Sequence, residues 1–150
     1  MNPLVRRYLK TAIVFLLLGL LLGGWMIVRR ELYGRYPTPY LVSAHTHLLL
    51  VGFVLMMVMG VALWMFPRPA REDVRYRPEL AGLAYWLVTA STAVRAFGEV
   101  TRTAVGSAGA RWAVALAGIG QIAGLAVFFY NLWPRIRSPG ARAREERPGP

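Results

Sequence analysis

The chain has 150 residues, 56% of them hydrophobic, with 18 Lys+Arg against 7 Asp+Glu, two histidines and no cysteine. That apolar share, gathered into runs of bilayer-spanning length, excludes a soluble enzyme, a disordered chain and a disulfide scaffold. The missing cysteine excludes thiolate metal sites, cysteine nucleophiles and covalent C-x-x-C-H attachment, and the formal net charge of +11 sits mostly on arginines between the apolar runs, as membrane-flanking charge does and a nucleic-acid surface does not.

Four helices are predicted, making an all-α, integral membrane four-helix bundle of residues 1–137. The first covers about 11–28, between Arg6, Arg7, Lys10 and Arg29, Arg30. No small-x-small cleavage site follows it, so it reads as a retained helix and not as a signal peptide. The second covers about 40–66 and is closed by Pro67 and Pro69; the third, about 80–97, is opened by Pro78 and Glu79; the fourth, about 112–133, is closed by Pro134. Prolines suit these edges because they lack the N–H that a helix interior needs. Residues 138–150 are Pro, Gly, Arg and Glu with little to bury, and are expected to form a disordered cytoplasmic tail.

The N-terminus, second loop and tail carry 12 Lys+Arg against 6 for the other two loops. The positive-inside rule then places both termini in the cytoplasm, as in a multi-pass protein of the inner (cytoplasmic) membrane. Trp25 and Trp112 fall at one interface, Trp64 and Trp133 at the other. Small residues mark candidate helix contacts: Gly19 and Gly23; Gly52 and Gly60; and the stripe Ala113, Ala117, Gly120, Gly124.

The only histidines, His45 and His47, lie one to two turns inside the second helix. An imidazole in hydrocarbon is costly unless it binds something, so metal or heme ligation is the functional reading, with hydrogen bonding to neighbouring hydroxyls and carbonyls as the structural alternative. Residues two apart on a helix point about 200° apart, so the pair serves two sites, or one ligates while the other hydrogen-bonds. Arg95, Glu99 and Arg102 share a face near the same end of the third helix. Arg95 and Glu99 can pair at i, i+4, and Arg95 and Arg102 are candidates to hold the anionic propionates of a heme. Met56, Met57 and Met59 lie too deep to share an iron with the histidines and read as packing; Gln121 reads as a helix–helix hydrogen bond.

The run Ala44-His45-Thr46-His47-Leu48-Leu49-Leu50-Val51-Gly52-Phe53-Val54, with Met59-Gly60 and the exit Trp64-Met65-Phe66-Pro67, resembles a heme-binding helix of heme–copper oxidase subunit I, the superfamily that includes the nitric oxide reductases. The resemblance implies a b-type heme ligated by His45 and His47, with copper as the lesser candidate, and a role in electron transfer from a respiratory donor or in binding or reducing NO or O2. A full catalytic subunit has many more helices and histidines, and a second metal beside its second heme. Oxidoreductase activity here would therefore need oligomerisation to assemble that metal. The larger relatives arrange arcs of helices about a pseudo-threefold axis, which makes a homotrimer the implied assembly, with the small stripe of the fourth helix as a candidate contact. The rival readings are a heme-free accessory or assembly subunit of a respiratory complex, and a transition-metal site at a symmetry axis.

Overall fold

A computed structural model describes residues 2–66, 77–105 and 108–136. Every regular element among them is helical: α1 (Pro3–Tyr33), α2 (Pro39–Met65), α3 (Pro78–Ala104) and α4 (Ala108–Leu132), the last followed by a 3-10 turn, Trp133–Arg135. All four are long and apolar enough to cross a membrane. The predicted tail and the prolines after the second helix lie outside the described residues.

The helices outrun their apolar cores because Arg and Lys are good helix formers and the ends carry proper caps. Asn2 Oδ1 accepts from Leu4 N–H at 2.9 Å and Pro3 opens the first turn of α1. At the other end Gly34 adopts φ 62°, its N–H reaching Arg30 O and Arg35 N–H reaching Arg29 O, both at 3.1 Å. This is a Schellman stop, and its left-handed position suits glycine. Thr38 caps α2 with Pro39 behind it. Phe66, ahead of Pro67, is extended at ψ 135°, as a residue preceding proline prefers.

Each helix packs on the next in chain order. α1 presents Val5, Tyr8, Ala12, Phe15 and Gly19, spaced three and four apart. It meets α2 through four glycines: Gly19 against Leu49, Gly23 against His45, Gly52 against Phe15 and Gly60 against Tyr8 and Leu9. The stripe of α4 is filled within the chain. Gly120 lies on Ser91, Gly124 on Val88 and Leu87, and Ala117 is buried. Gly120 and Gly124, expected to mark a helix contact, thus meet α3 within the chain. In lipid, close backbone approach substitutes for a hydrophobic drive.

The end carrying the chain's N-terminus holds the largest buried side chains. Tyr8 stacks edge-on with Tyr85 and Phe128, at centroid distances of 5.1 and 6.1 Å, and its hydroxyl donates to Ala81 O at 2.9 Å. Met56 and Met59 are fully buried core residues. Arg135, also buried, donates to Leu63 O and Phe66 O, satisfying carbonyls that the end of α2 leaves open.

Midway along α2, residues Leu48–Leu55 form a π-helical stretch directly after His47. Such wider turns are rare and concentrate near functional sites. Nothing in the spacing of the sequence had indicated it.

Gly124→Ala should lower the thermal stability of the detergent-solubilised protein by about 1–3 kcal/mol, since a Cβ there would meet Val88 Cγ2 at 2.7 Å and Val88 N at 3.1 Å. Gly82→Ala, with open space among the described residues, should be neutral or raise stability by up to about 1 kcal/mol. Thermal unfolding of the two variants checks the opposite signs.

Candidate functional site

His45 and His47 diverge as their spacing requires. His45 turns towards α1. Its Nδ1 lies 2.9 Å from Gly19 O; a carbonyl only accepts, so Nδ1 is the protonated nitrogen and Nε2 carries the lone pair. The ring lies on the bare backbone of Gly23, where a Cβ would come within 2.6 Å of Cε1. It lines an open groove of about 440 Å³ with Leu20, Gly24, Met26, Ile27 and Arg30. Beside Gly24 there is open space among the described residues. The groove is thus a largely apolar trough lined by the His45 imidazole and by Arg30, whose guanidinium is paired with Glu31 at 2.7 Å.

His47 faces α3 instead. Its Nδ1–H donates to Ser43 O at 2.8 Å, with Ser43 Oγ at 3.3 Å. Ser43 Oγ–H in turn donates to Glu99 Oε1 at 2.7 Å. Arg95 Nε–H reaches the same oxygen at 3.2 Å, and its Nη1–H reaches Gln121 Oε1 at 3.2 Å. Gln121 Nε2–H closes the chain on Thr92 Oγ1 at 3.0 Å. Six polar side chains from α2, α3 and α4 thus form one connected network. The Glu99 side chain is 4% exposed, and Glu99 Oε2 is the one buried side-chain nitrogen or oxygen among the described residues with no hydrogen-bond partner.

The i, i+4 pairing of Arg95 with Glu99 is present, and Gln121 bridges helices as its polarity implied. Arg95 is held by Glu99 and Gln121, away from the His45 groove; Arg102 donates to Tyr40 Oη at 2.8 Å and stacks 4.1 Å over that ring. Neither lines the groove. The guanidinium that does is Arg30, which sequence reasoning had counted only as flanking charge. Its signal was available: Arg30 is seven residues, two turns, beyond Gly23 on one face, and shows once α1 is allowed to continue to Tyr33.

The family model for cytochrome c and quinol oxidase polypeptide I matches residues 3–145. The chain belongs to this family. No curated protein and no solved structure matches it. With four apolar spans, this family member is a multi-pass membrane protein related to subunit I of the heme–copper oxidases. The family's cofactors are heme and copper, and the residues fit the first. An imidazole with its Nδ1–H tied to a carbonyl, beside an apolar trough backed by Gly23, has the chemistry of a heme iron ligand. Among the described residues no group of three His, Cys, Asp or Glu converges.

Glu99→Ala should destabilise the protein by about 3–5 kcal/mol, because it strands the Arg95 charge in a low-dielectric interior. Replacing both partners by apolar residues of similar size, Arg95→Met with Glu99→Leu, should cost markedly less. Thermal unfolding of the two variants in detergent checks the order; equal losses would mean that the pair contributes through more than charge compensation.

Proposed function

We propose that this protein is a membrane b-type hemoprotein, with His45 as the iron ligand and Arg30, paired with Glu31 at 2.7 Å, exchanging that partner for a propionate, serving electron transfer or the binding of a small gas such as NO or O2. The observation that carries the reading is the His45 groove: a basic Nε2 fixed by the bond from Nδ1 to Gly19 O, on the wall of an apolar trough with Arg30 at its rim. The protonated Nδ1 makes the lone pair of Nε2 the one offered to iron. When bound, heme would supply one-electron redox chemistry or a site for a small gas. This chain's residues would orient the ligand imidazole through Gly19 O and line the trough with apolar groups.

His47 is the second candidate ligand. Its Nδ1 is likewise bonded to a carbonyl, so its Nε2 is also basic. It lies on the other side of α2, which suits a second site shared with a neighbouring copy. A homo-oligomer, trimeric by analogy with the threefold arrangement of the larger relatives, would let each heme take ligands from two chains. Both termini face the cytoplasm in this reading. Catalytic reduction of a gas would require a second metal assembled between copies.

His45→Ala should abolish the reduced α-band of the purified protein, and His47→Ala should alter it, because no further histidine can substitute. Visible spectra of both variants check this, and unchanged spectra in both would remove heme from this motif. Arg30→Gln should lower heme retention through detergent purification by about tenfold, the order of one charge-assisted bond, and Arg102→Gln should not. The reverse order would return the propionate role to Arg102. Mass measurement in mild detergent should give a trimer; a heme-loaded monomer would defeat the shared-ligand arrangement.

A further inference from the structure

A second pocket, of about 450 Å³, shares Met26 and Pro37 with the His45 groove but opens at the end of α1. Its apolar lining comes from Trp25, Met26, Pro37 and Leu41, with Tyr36 and Thr103 beside them. Its rim carries two guanidinium groups. Arg29 lies with Cζ 4.8 Å over the Trp25 ring. Arg35 is brought back beside it by the Gly34 turn, in which Arg35 N–H bonds Arg29 O at 3.1 Å. Thr38 lines the same pocket and accepts the capping bond from Leu41 N–H, which leaves its O–H to donate. No carboxylate lines the pocket; Glu31 is bonded to Arg30.

We propose that this pocket binds the phosphodiester of an anionic phospholipid. Arg29 and Arg35 take the phosphate oxygens in the forked geometry that suits guanidinium, with Thr38 as a neutral donor. The acyl chains run along the apolar lining, with Trp25 at the depth where tryptophan settles in a bilayer. Two uncompensated cations select against a zwitterionic headgroup, whose ammonium would be brought close to both. The apolar lining selects against free phosphate, which could not use it. The site adjoins the His45 groove, sharing Met26 and Pro37 with it, but its two arginines line only this pocket, and it does not depend on heme being bound.

The test uses the full-length protein in detergent micelles, titrated with phosphatidylglycerol or phosphatidylcholine and followed by native mass spectrometry. Phosphatidylglycerol should bind about tenfold more tightly than phosphatidylcholine, as expected for basic side chains at a membrane surface. Arg29→Gln with Arg35→Gln should erase that preference. Arg6→Gln with Arg7→Gln, the same charge loss at the other end of α1, should preserve it. Millimolar inorganic phosphate should leave bound phosphatidylglycerol in place. Equal binding of the two lipids by the wild-type protein would overturn the proposal, as would equal loss in both double variants. Displacement by phosphate would overturn it too, by assigning the pocket to a soluble anion. If the Arg29, Arg35 variant does not fold, the wild-type lipid comparison with phosphate as competitor still decides.

Discussion

A carboxylate buried among membrane helices has to find its hydrogen bonds within the protein, and Glu99 organises one end of this molecule under that constraint. Each unsatisfied polar group costs several kcal/mol in hydrocarbon. Oxygen Oε1 of Glu99 therefore receives Ser43 from α2 and Arg95 from α3, and Arg95 passes the connection to Gln121 on α4. Three helices are fixed in azimuth and depth by one charge-compensated chain of bonds. The glycine contacts between α1 and α2 then bring in the fourth helix. With Ser43 tied to Glu99, the turn of α2 that carries the histidines has a defined rotation. His47 is held against that network, and His45 is turned the other way onto α1.

The two ends of the bundle divide the work. The end with the Tyr8, Tyr85 and Phe128 cluster packs large rings and closes the last carbonyls of α2 with Arg135. It also buries Asn131, which accepts from Arg77 N–H at 3.1 Å, and joins Thr11 to the Tyr85 hydroxyl at 2.8 Å. The opposite end carries the histidines, the buried ion pair and the two pockets. Between them lies the π-helical stretch of α2, whose wider turns change the register between the histidine turn and the methionine core. The candidate site thus coincides with the largest buried polar network among the described residues.

Much of this was legible in the sequence. Hydrophobic run length marked all four spans, and the shared depth of His45, His47, Arg95 and Glu99 followed from counting along antiparallel helices. What was not legible has physical causes. The extents of α1, α3 and α4 were underestimated because charge was taken as the end of a helix, whereas capping by Asn2 and Gly34 decides where α1 stops. That error hid Arg30 from the site. The small stripe on α4 looked the same whether it met α3 or another copy; only three-dimensional packing assigns it to Ser91 and Val88. A guanidinium's partner is similarly invisible in one dimension, since Tyr40 is 62 residues from the Arg102 it binds. The π-helical turns leave no periodicity that a single sequence discloses.

The central claim is that an imidazole held by a backbone carbonyl, in a glycine-floored apolar trough, presents its free nitrogen to a heme iron. The visible absorption spectrum of the purified protein, expressed with ample heme supply, tests this most directly. A Soret band, with sharp α and β bands on reduction and no covalent attachment, is the predicted result. A colourless, folded protein under the same conditions would contradict the claim and leave the chain as a heme-free accessory subunit.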